Sequence, residues 1–376
     1  MSGFKNNILV LTTEFPPGPG GIGNHGYNLS RFLNMAGFQM TVITSSDFTD
    51  EESERIFDSQ QNFRIVRFKR YNNRIKTYRK RIKIISDEVK KNDFTHIIFS
   101  GRFSLYASLF LKKNKKDIKF IAIAHGGDIN AVNTAEKYFV RKALSSMDLI
   151  IPVSKYSASK LPVGKDTSKI RVIPNGFDFD NAGELNIKKR EVLTRDPVLV
   201  TVGTIWPRKG HHNVLNSLNQ ILQMYPDAKY NIAGRQADTS EIDKYLKDEC
   251  LKKHINIFGQ VTNKKLHEIL DESDIFIMLS ESQSSGDFEG FGIAVIEANY
   301  FGLPAIGSLN SGLEDAISDG VSGILVNPGN PEEVTQAVKM IKEDYEGFSF
   351  RARDWAEKHH WSKIVKIYSE AINQLN

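Results

Sequence analysis

One cysteine, Cys250, in 376 residues leaves no partner for an internal disulfide and no thiolate cluster for a metal. No apolar run approaches the roughly 20 residues of a membrane-spanning helix, and Met1–Leu11 has no secretory-leader pattern. Short repeats and low-complexity tracts are lacking too. The expectation is a soluble chain of a reducing, cytoplasmic compartment. Against these absences stand 40% hydrophobic and 25% charged residues, the balance of an ordinary globular protein. The length is generous for one core and suits two domains.

Net charge is only +5, but it is unevenly spread. Residues 1–180 hold 29 Lys and Arg against 17 Asp and Glu, whereas the remainder holds 21 against 28. Such an excess in the first half predicts attraction to an anionic partner. It is densest from Arg64 to Lys91, where Ile75, Tyr78, Ile82 and Ile85 recur at helical spacing among Lys76, Arg79, Lys80, Arg81 and Lys83. Two readings fit: a helix lying on anionic lipid headgroups, or a solvated helix packed on its own domain. No nucleic-acid recognition motif accompanies the charge, so nucleic acid is not expected as a partner.

Apolar runs at Asn7–Thr12, Met40–Thr44, Ile97–Ser100, Phe120–Ala124 and Leu149–Val153 read as strands, with helices over about 24–36, 103–112 and 136–146. A second series runs through Val198–Gly203, Tyr230–Ala233, Ile255–Phe258, Ile275–Leu279, Pro304–Gly307 and Gly323–Val326. Strands alternating with helices predict an α/β protein with parallel, doubly wound sheets. The polar, aperiodic stretch 178–196 is the expected linker, which sets the domains at 1–180 and 181–360.

Three motifs bear on chemistry. Gly18-Pro19-Gly20-Gly21-Ile22-Gly23 has the G-x-G-x-x-G spacing of a dinucleotide loop, and Asp47 follows the second strand, where a ribose-binding acid would stand. Yet Thr12–Pro17 separates strand from first glycine, and Pro16, Pro17 and Pro19 offer no N–H to a pyrophosphate. A flexible loop at the carboxyl edge of the sheet fits better. Asp178-Phe179-Asp180 has the D-x-D form of a metal motif, but it lies inside the Pro-Asn-Gly turn of the linker, so no metal is expected there. Glu289 and Glu297 stand eight residues apart, and a helix is expected to open near Gly292 between them. The free N–H groups of a first helical turn suit a diphosphate, and the two carboxylates suit the hydroxyls of a sugar and a ribose.

This last stretch resembles the E-x7-E signature of retaining glycosyltransferases of family GT4, whose GT-B fold places two Rossmann-like domains facing each other across a cleft. Other segments share the resemblance. His125-Gly126-Gly127-Asp128 after a strand is similar to H-G-x-D/E, and Val153-Ser154 and Ile173–Asp178 are similar to V-S and I-P-N-G-V-D. Val202–Gly210 resembles V-G-R-L-x-x-x-K-G, Ala233-Gly234-Arg235 resembles the V-G-D/N-G turn, and Asp271–Asp274 precedes a strand as in the family. Thr204 stands where the family carries an arginine. Arg208 is the candidate to replace it, although adjacent helical side chains point apart.

The resemblance implies roles. Gly20 and Gly21 would approach the donor phosphates or the acceptor, and His125 would face the transferred sugar. Lys209, with Arg208, would neutralise the donor diphosphate, helped by backbone N–H groups along Gly290, Phe291, Gly292 and Ile293. Glu289 would hold sugar hydroxyls, Glu297 the ribose diol, and Gly234 would belong to the donor-binding set. His125, Lys209 and Glu289 form the implied catalytic group, and the last helix, 361–376, would pack back on the first domain. Neither cofactor nor metal is implied beyond a GDP- or UDP-linked sugar. The loop Ser282–Phe288, longer than the family's usual form, favours GDP-mannose. The implied acceptor is a saccharide or lipid-linked saccharide of cell-surface polysaccharide synthesis, met at the inner face of the membrane. A GT-B-shaped nucleotide-sugar epimerase and a non-catalytic sugar-nucleotide-binding protein are the alternatives.

Overall fold

The computed structural model describes residues 6–18, 20–47, 49–111, 118–130, 133–162, 167–179 and 192–375. Pro19, Asp180 and most of the expected linker, residues 180–191, lie outside them. Two compact units emerge: residues 1–176 together with 361–376, and residues 177–360.

The first unit is built on β1 (Asn7–Leu11), β2 (Gln39–Ser45), β3 (Arg64–Phe68), β4 (His96–Ser100), β5 (Lys119–Ala124) and β6 (Leu149–Pro152). The second has β7 (Val198–Val202), β8 (Lys229–Ala233), β9 (Ile255–Gly259), β10 (Ile275–Met278), β11 (Ala305–Ser308) and β12 (Gly323–Val326). All ladders are parallel. The orders are β3-β2-β1-β4-β5-β6 and β12-β11-β10-β7-β8-β9, one topology used twice. Helices cover both faces, so the central strands carry unbroken apolar runs; Ile8, Leu9 and Val10 are fully buried, as are Ile275, Phe276 and Ile277. Winding reverses between β1 and β4 and between β7 and β10. In open α/β sheets ligands bind outside the strand carboxyl ends at such reversals. The two α/β units bear out the Rossmann-like class expected from the sequence.

Three expectations are corrected. The helix expected from residue 24 starts at Gly21 and runs to Met35, so the last glycines of the Gly-rich segment are helical and not loop. The basic stretch 64–91 is not one element but β3 followed by a helix, Arg74–Lys91. Several of its charges are internal: Arg64 donates to Glu88, Arg67 to Asp58, and the buried Arg81 to Asp47. Asp47 is thereby engaged, which removes it as a ribose-binding acid.

The final helix, Trp361–Asn373, belongs to the first unit. Its Trp361 stacks on Phe32 at 6.1 Å between centroids, and Tyr368 shares a 3.1 Å hydrogen bond with His25. Both partners lie on the helix Gly21–Met35.

Candidate functional site

The second unit brings the sequence-derived acids and bases together at the reversal between β7 and β10. After β7 the chain makes a short 3-10 turn, Pro207–Lys209, then enters the helix His211–Met224 through Gly210. Gly210 has φ +68°, and a Cβ there would sit 1.7 Å from the Leu279 carbonyl oxygen at the end of β10. Only glycine permits this approach. The loop after β10 is tied to the same turn, because Glu281 N–H donates to the Arg208 carbonyl.

Arg208 and Lys209 converge on one oxygen. Arg208 Nη1 and Lys209 Nζ both donate to Glu289 Oε2, at 2.5 and 2.7 Å. Arg208 Nε also donates to Asp287 Oδ2 at 2.9 Å. Asp287 is held by a local turn in which Gln283 N–H bonds its carbonyl and Gly286 N–H bonds Gln283. The expectation that adjacent residues here diverge is therefore wrong. It assumed helical geometry, whereas a tight turn and two long side chains allow convergence. Burial would push the Glu289 carboxyl up, but the charges of Lys209 and Arg208 outweigh it and hold the group at about 2. It is a firm anion.

Glu297 is its opposite. It sits on the second turn of the helix Ile293–Tyr300, half-buried, with no side-chain hydrogen bond or ion pair among the described residues. Burial pushes it up to about 7. The helix opens at Gly292, φ +91°, where a Cβ would lie 2.4 Å from Leu313 Cδ2. The first N–H groups of a helix lack acceptors in its own ladder; here Val295 N–H donates to the Gly292 carbonyl, and those of Ile293 and Ala294 stand at the helix start. Phe291 offers only its backbone, since its ring is buried near His359. Gly290 is packed on Gly312, whose N–H donates to the Glu289 carbonyl. Ile293 is half-buried at the helix start. Gly234 packs the loop after β8 against Gly203, at the base of the Lys209 turn.

His125 and Gly21 lie in the first unit. His125 follows β5, and its Nε2 meets Ser100 Oγ at 2.9 Å while its ring meets that of His25 at 4.7 Å. Burial lowers His125 to about 4, so it is a neutral imidazole. Asp128 accepts the N–H groups of His125 and Gly126 at 3.0 and 2.8 Å, which fixes the turn. Gly21 faces open space, but Glu14 crowds the start of its helix: a Cβ on Gly20 would lie 2.1 Å from Glu14 Oε2. Burial raises Glu14, and the Gly23 N–H it accepts counters this in part. Sequence reading missed His25, Tyr368, Ser100, Glu14 and the grip of Asp287 on Arg208. Only Asp287 had a signal, its place in the lengthened loop.

Known proteins can now be set beside this geometry. Residues 19–181 match the model for Glycosyltransferase Family 4, and residues 184–358 match that for Glycosyl transferases group 1. Amylovoran biosynthesis glycosyltransferase AmsK of Erwinia amylovora is 26% identical over 257 residues, 67% of this chain and 61% of that protein. A GDP-mannose-dependent monoacylated alpha-(1-6)-phosphatidylinositol monomannoside mannosyltransferase of Corynebacterium glutamicum is 21% identical over 355 residues, 90% of each. Among solved structures, Anabaena HepE in complex with UDP-glucose aligns with a TM-score of 0.77 at 17% identity, over 98% of this chain and 100% of that one.

Proposed function

Because the chain belongs to the glycosyltransferases of GT-B fold, with a Family 4 half and a group 1 half, we propose that it is a retaining GT4 hexosyltransferase using a nucleotide sugar. The observation that carries this reading is the convergence of Arg208 and Lys209 on Glu289 at the reversal of the second sheet. Breaking an anomeric C–O bond leaves an anionic diphosphate and an oxocarbenium-like centre. Two fixed cations and free helix N–H groups meet the leaving charge; such preorganised donors contribute about 3 kcal/mol each. The diphosphate takes over the cations that Glu289 holds in its absence, and Glu289 turns to the sugar hydroxyls through charge-assisted bonds.

Glu297 receives the ribose diol, which supplies partners to a carboxylate that has none among the described residues. Neutral His125 serves the transferred sugar as a hydrogen-bonding group and not as a cation. Attack is front-face, with the departing phosphate oxygen taking the acceptor's proton. No divalent metal is required, since Arg208 and Lys209 supply the charge that a metal would. At Gly21, the nearby Glu14 carboxylate disfavours phosphate and favours acceptor hydroxyls. The lengthened loop bearing Asp287 favours GDP-mannose as donor. The acceptor is a saccharide or lipid-linked saccharide of cell-surface polysaccharide synthesis, met at the cytoplasmic face of a membrane.

A thermal-shift series with UDP, GDP and their sugars tests the donor, because a ligand that binds only the native state raises the melting temperature. Sugar release or transfer in excess EDTA then tests the chemistry. Binding without turnover would leave a sugar-nucleotide-binding protein; a changed sugar configuration on the nucleotide would leave an epimerase.

A further inference from the structure

The first unit contains a cavity of about 750 Å³ that the donor chemistry does not use. It lies between the helices Arg74–Lys91 and Arg102–Ala107 and is walled by Tyr78, Ile82, Phe103 and Phe110. The lining is overwhelmingly apolar, and the volume is that of an ordinary small-molecule pocket. Tyr78 and Phe103 meet at 5.5 Å between centroids. Phe110, at the rim, is 66% exposed among the described residues, so its ring is open to a ligand.

Two cations complete the site. Arg79 and Lys83 line the cavity one helical turn apart, and both are exposed. Neighbouring bases are engaged: Arg102 donates to the carbonyls of Gly127 and Asn130, Arg81 to Asp47, and Arg64 to Glu88. Arg79 and Lys83 have no hydrogen bond or ion pair among the described residues. An apolar pocket beside two unengaged cations complements a molecule with hydrocarbon at one end and about two negative charges at the other. A phosphate monoester carries about −1.5 to −2 at neutral pH, whereas a carboxylate would leave one cation unmatched.

We propose that this cavity binds the lipid end of a single-chain phosphorylated amphiphile, with hydrocarbon between Ile82, Phe103 and Phe110 and phosphate on Arg79 and Lys83. It deepens the lipid-linked acceptor reading and rests on it for one point, that the amphiphile is the acceptor's lipid carrier.

Octyl, decyl and dodecyl phosphate, kept below their aggregation limits, test this by calorimetry on the whole protein. Affinity should rise about three- to fourfold per added methylene until the pocket is filled, then level off. Inorganic phosphate should bind at least about a hundredfold more weakly than dodecyl phosphate. Phe110→Asp, at an exposed position, should weaken dodecyl phosphate at least about tenfold. Arg79→Gln with Lys83→Gln should erase the preference for dodecyl phosphate over dodecanol. Nucleotide binding, which belongs to the other unit, should be unchanged in all three substitutions and reports that they fold. Affinity independent of chain length, or insensitivity to Phe110→Asp, overturns the proposal. Sugar transfer without alkyl-phosphate binding would sink the pocket alone; binding without transfer to any lipid-linked acceptor would sink the acceptor reading alone.

Discussion

At the scale of single residues, Glu289 and Glu297 show how placement turns one side-chain type into two chemistries. Glu289 is held near 2 by its cations, so it favours the folded state above about pH 4.5, and that contribution is lost as pH falls toward 2. Glu297, raised to about 7, behaves oppositely: its burial costs nothing below pH 4.5 and penalises folding increasingly as pH rises toward 7. A ribose diol would favour ionised Glu297, so nucleotide binding should release a proton near neutrality and strengthen between about pH 5.5 and 8. The slope of affinity against pH should be shallower in Glu297→Gln, and the difference between the two proteins cancels titration of the phosphates. Identical slopes would remove Glu297 from the nucleotide site.

Glu289→Gln keeps the shape but weakens its contacts. Turnover should fall at least about tenfold while affinity for free nucleoside diphosphate stays within a few-fold. Lys209→Ala should cost more than excess EDTA does; full loss in EDTA with rescue by Mn2+ would reverse the metal-free reading. The two acids were legible because their spacing is local. Arg208 was named as a candidate, but its direction was not legible, because it depends on a 3-10 turn that no periodicity announces. His25 and Tyr368 were not either: 343 residues separate these partners, and each alone reads as an ordinary helix residue.

At the scale of elements, the central strands were readable because both faces are covered, which writes the strand as a continuous apolar run. β3 was not. Arg64-Ile65-Val66-Arg67-Phe68 is an edge strand carrying two arginines, a common device against edge-to-edge pairing, and its charge merged with that of the next helix. The helix at Gly21 was placed late because glycines lower helix propensity, yet packing overrides this: a Cβ at Gly23 would lie 2.9 Å from the Glu14 backbone. Gly210 is the most demanding junction of the second unit, pinned by its positive φ and by the Leu279 carbonyl. Gly210→Ala should therefore destabilise that unit by about 3 kcal/mol or more and abolish the convergence of Arg208 and Lys209. Thermal unfolding with and without nucleoside diphosphate checks it: the substitution should lower the midpoint and remove the ligand-induced rise. A variant that kept both would show that the turn tolerates a side chain.

At the scale of the whole molecule, the same strand order appears twice, and the excess of positive charge stays with the first copy. The structure narrows which of those charges can reach outward. Arg64, Arg67, Lys69 and Arg81 are paired with Glu88, Asp58, Glu51 and Asp47. Lys76, Arg79, Lys80 and Lys83 are exposed on one helix, beside Ile75 at 70% and Tyr78 at 49% exposure. We propose that these four cations, with the exposed apolar groups beside them, contact anionic lipid headgroups. Each contributes about 1 kcal/mol near an anionic bilayer, enough together for reversible attachment, while no helix among the described residues is long and apolar enough to cross a membrane. The protein should co-sediment with anionic vesicles at low salt and be released near 1 M, where the Debye length falls to about 3 Å. Replacing Lys76 and Lys80 by Gln should weaken this attachment without touching the pocket cations, and replacing all four should abolish it, with nucleotide binding intact in both. Equal sedimentation with neutral and anionic vesicles would mean that the charge serves solubility and that the apolar residues alone make the contact.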